Sequence, residues 1–562
     1  MYLRTTQRRN RDGSTVRYFQ LAHNQWDAKA GRSSVQVLYH FGREDQLDRD
    51  AIRRLISSLS RALHPDQALA VQAPELQFLD SRPLGGAWLL DQLWRRLGLD
   101  QILARLLRGR RLDPRAERAL FAMVCNRALE PMSKLGCADW VTEKAVIPGL
   151  PELDDDHCYR AMDWLLEIEA ELAQQVYWAL ADLLNLEVDL LFFDTTSTYF
   201  ETDEEDPPSP GADKGFRTHG HSKDHRRDLP QVVVGLAVTR DGIPIRVWTW
   251  PGNASDQELI RQVKDDLRAW KLSRVVWVTD TGFNSAENRR YLQRAGGHYI
   301  TGEKLRGDSK EAQSALARQG RYRKVAGNLE IKEVVLDDGT MRDRFVICRN
   351  PEAAERDRSI RAQLLERLES AIAGSDDKPL DERLALLQSL RARPGLARFL
   401  RVDGSGTSVR LRIDRAAVAA AEKLDGKFLL RTSDPTLSAE EVALGYKQLL
   451  QVERAWRDMK TTLDLRPVYH RRQERIRAHV LLCWLSLLLI RIAENGTGQT
   501  WHRLRWEMEK MHLGRFSGRA GMVLQRTEVT TAQRAILTAL SLQEPARFFH
   551  LEAAVSDSVE SA

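Results

Sequence analysis

Two short apolar runs in this 562-residue chain each end in an acid: LLFFDTT carries Asp194 and RVVWVTD carries Asp280. Such runs read as central strands buried on both faces. Ends of neighbouring strands bring their carboxylates to one edge of a sheet. Convergent carboxylates repel, so one stays protonated unless a cation stands between them. Mg²⁺ suits that place, because it prefers oxygen ligands and leaves positions for water and phosphate. A third carboxylate would complete a two-metal centre, with ions about 3.5–4 Å apart stabilising the attacking and leaving oxygens of a phosphoryl transfer. Glu453 is the candidate. Tyr446, Glu453 and Lys460 follow at intervals of seven, which at 3.6 residues per turn makes one slowly drifting stripe, each step about 10 Å long. Arg457 lies on the same side. A carboxylate among cations and a tyrosine offers a metal ligand and donors for phosphate oxygens. Taken singly, each acid has a plainer reading: a strand-terminal Asp is often a turn or cap residue, and Glu and Lys seven apart often mark a solvated face.

The elements that must position these residues follow from the hydrophobic period. Residues 1–42 alternate as strands around an RNRDG turn, and 50–63 read as a helix. Residues 85–185 are helical in pattern, with one helix opening at Asp113-Pro114 on an N-cap and a proline at its first position. From Asp189 the texture changes. TDEEDPPSPGAD reads as a solvated, mobile loop rather than a metal site. QVVVGLAVT and IPIRVWTW around a DG turn form a hairpin. Ser255 with Glu258 opens a helix through a capping box, NSAENRRYLQRAG is a helix and HYITGEK a strand. Residues 304–424 interrupt with hairpins and charged helices, and KFLLRTS resumes as an apolar strand. The next helix opens at Ser438 with Glu441 at its third position, Leu437 and Val442 forming a hydrophobic staple. Leu449, Val452, Trp456, Met459 and Leu463 supply its core-facing stripe. Gly445 is a weak point where it kinks or restarts.

This order of elements resembles the ribonuclease-H-like fold, and the motifs resemble the DDE transposases of bacterial insertion sequences. Tyr446, Glu453 and Lys460 match the Y-x2-R-x3-E-x6-K signature of the insertion-sequence-four superfamily in identity and spacing. Leu449 stands at the signature arginine, with Lys447 or Arg457 as its substitute. DTTSTYFE holds the first Asp and DTGF the second, with Thr281 where the family commonly has arginine. SKDHRRDLPQVVVGLAVTRDGIPI and LRPVYHRRQERIRAHV are similar to the insertion-sequence-sixteen-thirty-four group. The resemblance covers 190–305 and 425–495 best.

It implies an α/β fold with a ribonuclease-H-like catalytic core, a β-rich insertion domain and a mainly helical N-terminal region. The expected divisions are a basic arm that is a DNA-binding candidate (1–65), a helical region for DNA ends (66–187), a core in two parts (188–303 and 425–495), an insertion domain (304–424) and a helical C-terminal region for dimerisation (496–562). It further implies that Asp194, Asp280 and Glu453 bind two Mg²⁺ ions, with Mn²⁺ as substitute, and that the enzyme performs cut-and-paste transposition by DNA cleavage and strand transfer. Tyr446 and Lys460 would hold the element's end. Arg466, His470, Arg471, Arg472, Arg475 and Arg477 follow directly and are expected to track phosphates, giving steep salt dependence; an exposed basic loop and helix start is the plainer reading. The implied partners are double-stranded DNA, as terminal inverted repeats and target, and a second copy of the chain when two ends are paired. Nothing in the carboxylates alone separates this from a nuclease that cuts without joining; Leu449 and Thr281 allow a degenerate DNA-binding protein, but three intact carboxylates argue against it.

Composition agrees. The net charge is +6, but residues 1–61 hold twelve Lys+Arg against six Asp+Glu, and residues 454–526 hold fifteen against six. The rest of the chain is therefore net acidic. Two basic segments suit a polyanion held at defined places, and equally two solvated faces. Five cysteines with no C-x-x-C pair argue against a zinc site or a disulfide framework and fit a reducing cytosol. The N-terminus shows no apolar signal region. The longest apolar run, Val480–Ile490, is too short to span a bilayer and reads as a core helix. No membrane partner is expected; the expected location is the bacterial cytoplasm, on the nucleoid when DNA is bound.

Overall fold

The structure, a computed structural model, describes residues 2–10, 15–27, 31–63, 76–184, 190–208, 215–268, 270, 275–306, 309–337, 342–404, 408–466, 468–518 and 521–553. Its contacts divide the chain into two units. Residues 1–82, 512–528 and 546–562 form one; residues 83–511 and 529–545 form the other.

The alternating N-terminal segments form an antiparallel meander of β1 (Tyr2–Arg9), β2 (Thr15–Asp27) and β3 (Arg32–Arg43). The helix Arg49–Leu63 and β4 (Gln77–Pro83) follow. Most of the RNRDG turn lies outside the described residues.

The larger unit is built on a nine-stranded mixed sheet. One side of it holds β5 (Leu190–Tyr199), the hairpin β6 (Gln231–Val238) and β7 (Pro244–Pro251), then β8 (Val276–Thr279) and β9 (His298–Glu303), with β7 at the edge. β5 pairs antiparallel with β6 and parallel with β8, and β8 pairs parallel with β9. The spatial order is β7-β6-β5-β8-β9. β6 and β8 are buried along their whole length, and β5 nearly so, as their unbroken Val, Leu and Phe runs dictate.

Part of the stretch 304–424 extends this same sheet. β10 (Arg323–Ala326), β11 (Leu329–Asp337) and β12 (Arg342–Arg349) add three strands to it. The chain then leaves to build a helical lobe around the hairpin β13 (Leu400–Asp403) and β14 (Arg410–Ile413). That lobe has its own apolar core, including Leu368, Leu387, Leu390, Phe399 and Leu411. β15 (Lys427–Thr432) returns between β12 and β9, antiparallel to both.

The helix Gln473–Thr497 passes through the middle of the larger unit, against helices Ala116–Leu129 and Asp155–Glu167 and strand β7. By length and composition it could cross a membrane, but 94% of its most apolar window is buried inside the protein. This is the core helix that Val480–Ile490 foretold. The helix expected to open at Asp113-Pro114 instead begins at Ala116. Asp113 accepts from Arg115 N at 2.8 Å and pairs with its guanidinium, so two residues form a turn before the first helical one.

After Gly498 come the helices Trp501–Met508 and Thr531–Ala539, but also β16 (His512–Gly518), β17 (Gly521–Arg526) and β18 (Phe548–Ala553). These strands pair in the order β18-β17-β16-β4, within the N-terminal unit.

Candidate active site

The strand register brings the two aspartates together. β5 and β8 pair Phe193 with Thr279, so Asp194 and Asp280 are the next residues of adjacent parallel strands, which lie about 4.8 Å apart. β8 and β9 pair Thr279 with Thr301, which puts Gly302 next in the row. A Cβ on Gly302 would stand 2.6 Å from Tyr446 Oη and 2.9 Å from Thr281 Cγ2. The bare glycine therefore leaves room for the Tyr446 hydroxyl, which donates to Asp280 Oδ1 at 3.4 Å. Asp280 Oδ1 also accepts from Thr281 N at 2.6 Å. Burial pushes the Tyr446 phenol well above its ordinary value, with the charge of Asp280 next and those of Glu453 and Asp194 adding. Tyr446 is thus a neutral donor in the field of three carboxylates.

The helix over the sheet is two helices. Ser438 and Glu441 make the expected capping box for Ala439–Lys447. The second helix, Leu450–Thr461, starts after a break at Gln448–Leu449. Gly445 is not the break itself: a Cβ there would lie 3.1 Å from Leu190 Cδ1, so the glycine lets the first helix lie close on β5. Tyr446 therefore sits on one helix, and Glu453 and Lys460 on the next. Val452, Trp456 and Met459 are buried, and the second helix packs across β5 and β6. It is clamped to the core helix by Arg491, which is buried and pairs with Asp458 at 2.6 Å and with Glu494. Arg454 meets Glu494 at 3.0 Å. Glu453 is exposed and makes no ion pair among the described residues.

Around Asp194 the structure adds residues that sequence reasoning did not single out. Lys223 Nζ lies 3.7 Å from Asp194 Oδ1 and 3.2 Å from Asp256 Oδ2. It donates to the carbonyl oxygen of Thr195 at 2.8 Å and to its Oγ1 at 2.6 Å. Thr195 Oγ1 in turn donates to Asp256 Oδ1 at 2.5 Å. Burial raises the Asp194 carboxyl to about 6; Lys223 and the Thr195 N–H oppose this, while Asp256 and Asp280 reinforce it. The next residue, Asp224, is one-tenth exposed and holds Lys460 Nζ and Arg466 Nη1, each at 2.8 Å. Burial lowers the Lys460 ammonium, against the pull of Asp224. Lys223 and Asp224 lie in SKDHRRDLPQ, a stretch whose likeness to the family was visible while its roles were not. Asp256 was hidden inside an expected helix start.

The other basic residues divide. Arg475 lies over the Tyr159 ring at 4.1 Å and 3.7 Å from Asp163, and Arg477 meets Glu169 at 3.1 Å. His470 packs near Tyr159 and His479, and burial lowers it to about 4, so it is neutral at pH 7. Lys447 Nζ is 3.4 Å from Asn328 Oδ1. Arg457, Arg471 and Arg472 are exposed, Arg472 beside Glu474 at 3.7 Å. Trp456 and Trp484 are core residues, as expected. In the acidic loop, Asp206 is held by Arg217, whereas residues 209–214 lie outside the described set.

Among the described residues no three His, Cys, Asp or Glu side chains are gathered closely enough to hold an ion. The donors nevertheless fit a hard divalent cation: all are carboxylate oxygens, and Asp194 carries an ionisation penalty that a cation would relieve.

Residues 194–489 match the Transposase DDE domain family, beginning on Asp194 itself. That is more than half of the chain, and the chain belongs to this family: it is a DNA transposase, an enzyme of a class that requires divalent metal. Residues 3–68 match the IS1634 family transposase N-terminal domain, which sets it among the transposases of that group. No curated protein sequence matches it. A piggyBac transposase, solved as a synaptic complex with hairpin DNA, is similar at 10% identity and a TM-score of 0.35, over 75% of this chain and 77% of that one.

Proposed function

We propose that Asp194, Asp280 and Glu453 are the catalytic triad of a ribonuclease-H-like core, that they hold two Mg²⁺ ions, and that the enzyme moves an insertion sequence by cleavage and strand transfer. The single observation that carries this reading is the register that makes Asp194 and Asp280 neighbours on β5 and β8. The sheet order, with a hairpin on one side of the first strand and two parallel strands on the other, supports the core assignment. Bound divalent ions supply the Lewis acidity that makes a nucleophile of water and then of the freed 3′-hydroxyl.

The chain's own residues do the rest. Asp194 on β5 and Asp280 just past β8 present oxygens side by side, and Glu453 supplies the third carboxylate from the exposed face of the second helix. Tyr446 holds Asp280 in orientation, and its single hydroxyl proton turns to a phosphate oxygen when DNA is bound. Lys460 and Arg466 neutralise the backbone beside the cut, and Lys447, Arg457, Arg471 and Arg472 extend that track. His470, Arg475 and Arg477 brace the track more than they touch DNA, given their partners within the protein. Two copies of the chain pair the two ends.

The test uses a pre-cleaved duplex carrying the inverted repeat that flanks the reading frame, with a supercoiled plasmid as target. Joined product is expected in Mg²⁺. Asp194→Asn, Asp280→Asn and Glu453→Gln should each abolish joining and leave DNA binding within a few-fold. Nicking without joining would instead make the protein a nuclease, and an active Glu453→Gln variant would remove Glu453 from the triad.

A further inference from the structure

Lys223 and Asp224 leave one tight turn towards different partners. Ser222 holds the turn through its Oγ, which accepts from Arg226 N at 3.0 Å, and Lys223 N donates to Ser197 Oγ at 2.9 Å. His225 sits at φ 60°, in the left-handed region, a conformation a side chain adopts at a cost and that marks an enforced geometry. On one side, the Lys223 ammonium touches four oxygens of Asp194, Asp256 and Thr195. On the other, the Asp224 carboxylate bridges Lys460 and Arg466. Asp194 among the proposed metal ligands, and Lys460 and Arg466 among the proposed DNA contacts, are thus already paired, and the two pairing groups are consecutive in the chain.

We propose that the Lys223-Asp224 pair stands in for the ions of the reaction: the ammonium occupies the place of a divalent cation on the carboxylates, and the carboxylate occupies the place of a DNA phosphate on Lys460 and Arg466. Both clusters are thereby kept oriented before either ligand arrives. Without Lys223 the carboxylates would lose the group that gathers them, and without Asp224 two partly buried cations would repel. Entry of the metal displaces Lys223, and entry of DNA displaces Asp224. Lys223 is a positioning residue in this scheme, and a competitor of the metal. The inference rests on Asp194 being a metal ligand.

Three measurements on the full-length protein decide it. Mn²⁺ binding is read by electron paramagnetic resonance for the wild type, Lys223→Met and Asp194→Asn. Removing the competing ammonium should tighten Mn²⁺ binding about threefold or more, while Asp194→Asn should abolish it. Unchanged affinity in Lys223→Met overturns the stand-in. Retained Mn²⁺ binding in Asp194→Asn overturns the triad reading instead, so the two failures are distinct. Acetylation of Lys223 in the wild type, read by mass spectrometry, should rise several-fold when Ca²⁺ is added; equal labelling with and without Ca²⁺ overturns the displacement even if Lys223→Met does not fold. Finally, a duplex of random sequence should bind Asp224→Asn several-fold more tightly than the wild type. The gain is in affinity, because the wild type must first displace Asp224 before Lys460 and Arg466 meet the same phosphates. Equal affinity overturns the phosphate half.

Discussion

At Asp194 the fold works against ionisation. Its carboxyl is raised from an ordinary 3.8 to about 6, chiefly by burial. A carboxyl raised in the folded state favours folding fully while protonated, below its ordinary value, and loses that contribution as pH climbs through about 6. In EDTA, the melting temperature of the wild type should therefore fall relative to Asp194→Asn between pH 4 and 7. Mg²⁺ at pH 7 should restore part of it in the wild type alone; parallel profiles would show that Asp194 is not held this way. Tyr446 gives a second residue-scale expectation. Tyr446→Phe keeps the ring beside Phe428, 6.2 Å between centroids, and removes only the donor to Asp280. A hydrogen bond to a charged group is worth about 1.5–3 kcal/mol, so cleavage should slow roughly 10- to 100-fold, with little change in melting temperature.

Among the elements, two placements are exacting. Gly302 has no room for a side chain beside Tyr446 Oη and Thr281. Gly302→Ala should push Tyr446 off Asp280, cost about 1–3 kcal/mol of stability by overcrowding, and slow cleavage more than Tyr446→Phe does, which a comparison of single-turnover rates would show. Arg491 fastens the Glu453 helix from behind. Arg491→Met would leave Asp458 and Glu494 without their buried cation, a loss of about 3–5 kcal/mol readable by urea unfolding. Much of this was legible in the sequence. The apolar runs gave both strands, although β5 does not end at Asp194 but continues to Tyr199 in register with β6, and Ser438 with Glu441 gave the helix start. What stayed hidden was contact across long separations. The heptad spacing put Tyr446, Glu453 and Lys460 on one stripe, and the restart expected at Gly445 falls instead at Gln448–Leu449, because propensity does not report where two helices settle separately on the sheet. Lys223 and Asp256 carried no signal of their own, because only the fold brings them to Asp194. The hairpins of 304–424 were readable, but their addition to the central sheet through β15 was not, since pairing partners are a tertiary matter.

For the whole molecule, the division into two units predicts separable behaviour. A variant lacking residues 1–68 keeps β4 and the entire unit built on the nine-stranded sheet. It should retain the main unfolding transition and metal-dependent nicking of random duplex, but lose preference for the element's own inverted repeat. Fluorescence anisotropy with repeat and scrambled duplexes would check this; undiminished preference would put end recognition elsewhere. The pairing of β4 with β16 has a consequence for synthesis. More than four hundred residues separate these strands, so during translation β4 waits without its sheet while Asp194, Asp280 and Glu453, the proposed triad, have all been made. A transcript cut short after the core would yield chains that possess the acids yet leave a naked strand edge, open to aggregation and to proteases. Only a finished polypeptide closes that edge, a form of quality control written into the order of the chain.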